Sequence, residues 1–222
     1  MPLRSAPLPR MAGHLSFMRS QPKAIHDVRP DQLAVLGLPF EDTSAPFAGQ
    51  SLAPRALRET SVYFGWHANP QFSHPVDIDA RQDIKTDGLH ERLCDLGDIS
   101  PGSEEAVHAA LMTATCQINR AGACALLLGG SDRLSMTVQD ALQGCQTVQL
   151  GGMPSDARDF HIAPLHNGTD PTLKIDTAVH LASFSRWRDS TRPLFVRFDL
   201  SVFETSLSAL CDRPRLGGCN LD

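Results

Sequence analysis

Three apolar runs constrain this chain more than anything else in it: "LAVLGL" at 33–38, "ACALLL" at 123–128 and "LFVRF" at 194–198. Each has the length of a strand. The first two carry no polar residue at alternate positions, so they have no side fit for water. Strands of that kind belong in a parallel sheet covered on both faces. The segments between them supply the cover. "SEEAVHAALMTATCQINRAG", 103–122, predicts a helix with Ser103 as N-cap, Glu104 and Glu105 at the positive end of the dipole and Gly122 as the stop. Its apolar face is Val107, Ala110, Leu111, Ala114 and Ile118. "SDRLSMTVQDALQG", 131–144, predicts another, with Leu134, Val138, Ala141 and Leu142 on one side. "APRALRETSVYFGW", 53–66, reads as a helix with Pro54 in its first turn and a stripe of Leu57, Ser61 and Phe64. A weaker helix is expected near Asp176–Trp187, and short strands at "LCDLGD" and "TVQL". The expected fold is therefore α/β, three-layered, with a mostly parallel sheet.

The remaining features bound the function. With 222 residues there is enough chain for one domain with a sizeable core. The first 30 residues hold several prolines and five basic groups (Arg4, Arg10, Arg19, Lys23, Arg29) against one acid, Asp27. They are expected to form an arm, mobile or laid on a partner, before a domain at 31–222. A net charge of -5 argues against a general nucleic-acid binder. No apolar run is long enough to span a membrane, and the N-terminus has no secretory h-region, so the cytoplasm is the expected compartment. Six cysteines (Cys94, Cys116, Cys124, Cys145, Cys211, Cys219) form no C-x-x-C pair. A zinc site of usual spacing is thus unsupported, and Cys116 and Cys124 are expected to be small buried hydrophobes.

The glycine-rich corner "GGSDRLS", 129–135, stands where a strand passes into a helix, a place where α/β enzymes carry chemistry. Here it offers Ser131, Asp132 and Arg133. Asp132 reads as a metal ligand or as a helix N-cap. Asp199 reads as a ligand or as polarity at a strand end. His161 and His166 read as loop histidines or ligands. The pairs Gly129-Gly130 and Gly151-Gly152 match no phosphate-binding fingerprint and read as tight corners.

Six segments, in order, resemble the ureohydrolases, the arginase and agmatinase family. "LGLPFEDTSAPFAGQSLAPRALRETS" resembles the family's opening strand, loop and Arg-bearing helix, with Arg55 and Arg58 matching and Ala53 in place of a Gly. "DLGD" (95–98), "AGACALLLGGSDRLS", "LHNGTD", "FVRFDLSVFE" and "PRLGGCNLD" resemble its later signatures. The resemblance implies an abbreviated arginase-like fold. For an intact member it implies a pair of manganese or nickel ions whose bridging hydroxide attacks a guanidinium carbon. Carried over position by position, it implies that this chain has lost that pair. Asp132 stands for the ligand His and Ser131 for the Asp before it. Gly152 and Pro154 stand for two ligands of the next motif, whose last member is Asp156. Asp199 is kept, Ser201 replaces its partner, and Glu204 stands for a supporting Asp. At most three carboxylates and no imidazole remain. The resemblance further implies that the family's last strand, the Glu near it and a strand–helix unit between Asp156 and Asp199 are absent. The expected role is a non-catalytic subunit, without catalytic, metal or cofactor-binding residues of its own. Its partner would be a longer catalytic homologue holding two nickel or manganese ions in a hetero-oligomer, a hexamer, that acts on a guanidino or biguanide compound. The alternatives are a shifted carboxylate site on Asp132, Asp156 and Asp199 with a nearby His, and a stand-alone guanidino-binding module.

Overall fold

A computed structural model describes residues 14–44, 48–62, 76–77, 82–83, 88–129, 131, 133–150, 160–162 and 177–200. The strands are β1 Gln21–Pro22, β2 Leu33–Gly37, β3 Val76–Asp77, β4 Gln82–Asp83, β5 Leu93–Asp98, β6 Cys124–Leu128, β7 Gln146–Leu150, β8 Phe160–Ile162 and β9 Leu194–Phe198. The helices are α1 Ala53–Ser61, α2 Leu89–Arg92, α3 Glu104–Arg120, α4 Leu134–Ala141 and α5 Thr177–Trp187. The chain divides into two compact units, residues 1–42 with 49–134 and residues 43–48 with 135–222.

The first unit holds a parallel sheet in the order β1-β5-β2-β6, and β3 and β4 form a small antiparallel pair. Residue parity decides what each face of the parallel sheet meets. Ala34 and Cys94 point to the side where Val28 and Ile118 of α3 pack, with Ile25, Leu96 and Ala125 around them. Val35, Leu93 and Leu128 point to the other side, against Phe17 and Met18. Both faces are covered, so β2 is buried along nearly its whole length, as its sequence demands. α3 starts where expected: the Ser103 hydroxyl accepts the Ala106 N–H at 3.3 Å. Its buried face is Val107, Leu111, Ala114, Thr115 and Ile118, while Ala110 stays exposed.

Residues 14–30 differ from the expected arm, because they join the first unit. β1 pairs with β5, the Phe17 N–H donates to Asp95 Oδ2 at 2.7 Å, and the Met18 N–H donates to Ser61 Oγ at 2.8 Å. Val28 is part of the core. The apolar residues that anchor this segment follow no period, so no element could be read from them. The stripe expected on α1 is corrected at Leu57, which is exposed; Ser61 is buried as expected, together with Pro54 and Arg58, and Phe64 lies outside the described residues. A charged side chain takes the inner face there because two carboxylates await it. Cys124 is exposed and Cys116 only half-buried, against the expectation that both are buried; among the described cysteines, Cys94 is the fully buried one.

The second unit holds a parallel sheet in the order β8-β7-β9. α5 lies on it through a cluster of Phe160, Phe184 and Trp187, with ring centroids 5.4–5.8 Å apart. Residues 160–162 were expected to be loop and are instead β8. The face bearing Thr147, Gln149 and Arg197 is polar yet buried. By contrast, β9 leaves its apolar side open: Leu194, Val196 and Phe198, with Leu200 beyond, are 38–62% exposed. β9 ends this sheet among the described residues, and the aromatic cluster under α5 is centred on β8.

Candidate functional site

In a parallel α/β sheet, chemistry gathers at the carboxyl ends of the strands. Two ionic clusters occupy those ends in the first unit.

The first is built on Arg58, whose side chain is 5% exposed. Its Nε donates to Asp95 Oδ2 at 2.8 Å and one terminal nitrogen to Asp95 Oδ1 at 2.9 Å, a two-pronged pair. The other terminal nitrogen reaches Asp98 Oδ1 at 2.5 Å, and the Gly97 carbonyl accepts a further bond at 2.9 Å. Burial alone would lower the Arg58 pKa, but the hydrogen bonds to Asp95 and Asp98 outweigh it and hold it above its ordinary value. Asp95 also accepts the N–H groups of Phe17 and Gly97. Its oxygens are thereby committed to holding the N-terminal segment, β5 and α1 together. Gly37 lies beneath this cluster, where a Cβ would collide with Asp98 Oδ1 and come within 2.9 Å of an Arg58 nitrogen.

The second cluster is the glycine corner after β6. Gly129 has φ +74, and a Cβ there would come within 2.9 Å of Pro54 and 3.0 Å of Ala53, so both the conformation and the close approach to α1 require glycine. The Ser131 hydroxyl donates to Asp42 Oδ2 at 3.1 Å. The Arg133 guanidinium lies 2.6 Å from Glu104 Oε1 and 3.7 Å from Asp42 Oδ1. Asp42 is only 10% exposed, whereas Arg133 is half exposed.

In the second unit, Asp199 follows β9, half-buried, and its N–H donates to the Leu150 carbonyl at 2.9 Å. Buried Arg197, two residues earlier, donates to Gln149 Oε1 at 3.1 Å. Burial lowers the Arg197 pKa, and the charge of Asp199 works against that shift.

A family model for the arginase family matches residues 31–151, more than half of the sequence. The chain belongs to the arginase family. No curated protein matches it significantly. Solved structures show the same arginase-like α/β fold. A hypothetical agmatinase from Burkholderia thailandensis is 19% identical, with TM-score 0.64, over 96% of this chain and 76% of its own. Proclavaminate amidino hydrolase from Streptomyces clavuligerus is 19% identical, with TM-score 0.66, over 96% and 82%. The agmatine ureohydrolase of Thermoplasma volcanium is 15% identical, with TM-score 0.61, over 94% and 79%.

Of the ligand positions that the resemblance assigns, the structure describes Asp199, and it also describes Ser131, which precedes the first of them. Asp132, Gly152, Pro154, Asp156 and Ser201 lie outside the described residues, as do Glu204, His166 and the side chain of His161. Among the described residues, no group of three or more His, Cys, Asp or Glu is placed to hold a metal ion. Among the described residues of the β6 corner, Ser131 and Arg133 with neighbouring Asp42 do not fit a divalent cation. Ser131 offers a neutral hydroxyl that is already donating, and Asp42 faces a guanidinium at 3.7 Å. The sequence did not reveal Asp42, Glu104 and Arg133 as a group. Their separation of 91 residues end to end hides it, and only the placement of β2 beside β6 brings them together. No helix among the described residues is long and apolar enough to cross a membrane.

Proposed function

We propose that this chain is a non-catalytic subunit of a hetero-oligomeric ureohydrolase. It supports the assembly and shape of a longer, metal-bearing homologue. One observation carries the reading: the metal motifs hold the wrong side chains, Ser131 and Asp132 at the first, Gly152 and Pro154 at the second, Ser201 at the third. Hydrolysis of a guanidino group by this family's chemistry needs a hydroxide generated between two cations, and cations of that kind need mixed imidazole and carboxylate ligands. The hydroxide must then come from another chain. The exposed apolar side of β9 gives a reason for a partner, since contiguous apolar surface commonly marks an interface.

More specifically, the arrangement of one active and one degenerate subunit resembles metformin hydrolase, a nickel-dependent complex. On this reading the complex converts metformin to guanylurea and dimethylamine, with dinuclear nickel in the partner. The test is to purify the tagged chain from its native cells and identify what comes with it. A longer arginase-family protein with an intact Gly-Gly-Asp-His motif is expected, and the complex should release dimethylamine from metformin. Recovery of the chain with no arginase homologue, or with full activity alone, overturns the assignment.

A further inference from the structure

The misfit of the described corner residues to a divalent cation points to what takes its place among them. We propose that Arg133 is the resident cation of this corner: its guanidinium supplies the positive charge that Asp42 and Glu104 require and so fixes the corner without metal. The claim rests on the corner itself, and holds whether or not the chain has a partner.

Asp42 lies in the segment after β2, Glu104 opens α3, and Arg133 precedes α4. Three separate elements therefore meet at one guanidinium, 2.6 Å from one carboxylate and 3.7 Å from the other. Asp42 is almost fully buried, so its charge is costly unless a cation lies nearby. The local backbone is arranged for this contact. The Ser131 hydroxyl bonds to the second oxygen of Asp42 at 3.1 Å and accepts the Arg133 N–H at 3.3 Å, which ties the residue bearing the cation to the carboxylate it faces. A guanidinium can contact two carboxylates at once through different nitrogens, whereas an ammonium is a single point charge. Here Nη1 faces Asp42 and Nη2 faces Glu104. His108, one turn along α3, also lies 3.7 Å from Glu104. Because Arg133 is half exposed, the vacated space in an Arg133→Ala variant is open to a small cation from solution.

Hydrogen–deuterium exchange of the full chain, alone or in its complex, tests this on peptides spanning 36–44, 99–108 and 129–137. Arg133→Ala should speed exchange at all three by about two- to fivefold, within the range for loss of an exposed ion pair. Methylguanidinium chloride at 20 mM should restore slow exchange to the variant, and tetramethylammonium chloride at 20 mM should not. Arg133→Lys, which keeps the charge, should fall between the two. Nickel or manganese chloride added to the unaltered chain should leave the three peptides unchanged. The proposal is overturned by wild-type exchange in Arg133→Ala, by equal action of the two organic cations, by a Lys variant as fast as the Ala variant, or by protection of these peptides on adding metal.

Discussion

At the scale of single residues, the account turns on charges that share side chains of opposite sign. Arg58→Met should cost about 3–5 kcal/mol in urea denaturation, because Asp95 would remain buried without its counter-charge. Gly37→Ala should be destabilising as well, since the new methyl falls on the Asp98–Arg58 contact, and Gly37→Ala in an Arg58→Met, Asp98→Ala background should cost less. Glu41 gives a pH signature. Its carboxylate accepts the Ser51 hydroxyl at 2.7 Å, the Ser51 N–H at 3.1 Å and the Gly49 N–H at 2.8 Å, which lowers its pKa. A lowered native pKa means stability that is present above the unfolded value, about 4.3, and lost as pH falls through the lower native one. The melting temperature of Glu41→Gln should therefore lie below wild type at pH 7, and the gap should close as the pH is taken from 5 toward 3. Arg58 was legible as a family-type position. Its burial was not, because no pattern in "APRALRETS" sets it apart from exposed Arg55.

At the scale of elements, α3 was the most legible, since cap, dipole charges, apolar face and stop all agreed with one another. Ser103→Ala should cost about 1 kcal/mol, as the loss of an N-cap does. β8 was illegible because three residues in a turn-rich stretch offer no period, and pairing with β7 makes them a strand. The first 13 positions of the arm stay outside the described residues, but positions 14–30 show how scattered apolar side chains and backbone N–H groups can anchor a segment of unpromising composition. β9 was legible as a strand and misleading as a buried one. Its open stripe makes a prediction for the element: Val196→Thr with Phe198→Thr should reduce self-association of the isolated chain, measured by light scattering on a sizing column, and weaken the proposed complex. Unchanged association in both would place the interface elsewhere.

For the whole molecule, the order of strands and helices gave a mostly parallel α/β fold and the resemblance of six segments made it arginase-like, while the division into two compact units was not visible in the sequence. The resemblance to the family implies which residues stand at ligand positions. It does not say what the described corner does instead, because Asp42, Glu104 and Arg133 meet only through folding. In the proposed complex, Asp199→Ala in this chain should lower turnover far less than loss of one metal ligand in the proposed partner, since only the latter would remove the activated hydroxide. The most direct test of the central claim is elemental analysis of the purified chain, produced with nickel and manganese present and freed of its partner. The account predicts far less than one metal ion per chain. A stoichiometric ion that is lost in Asp199→Ala or Asp132→Ala would contradict it.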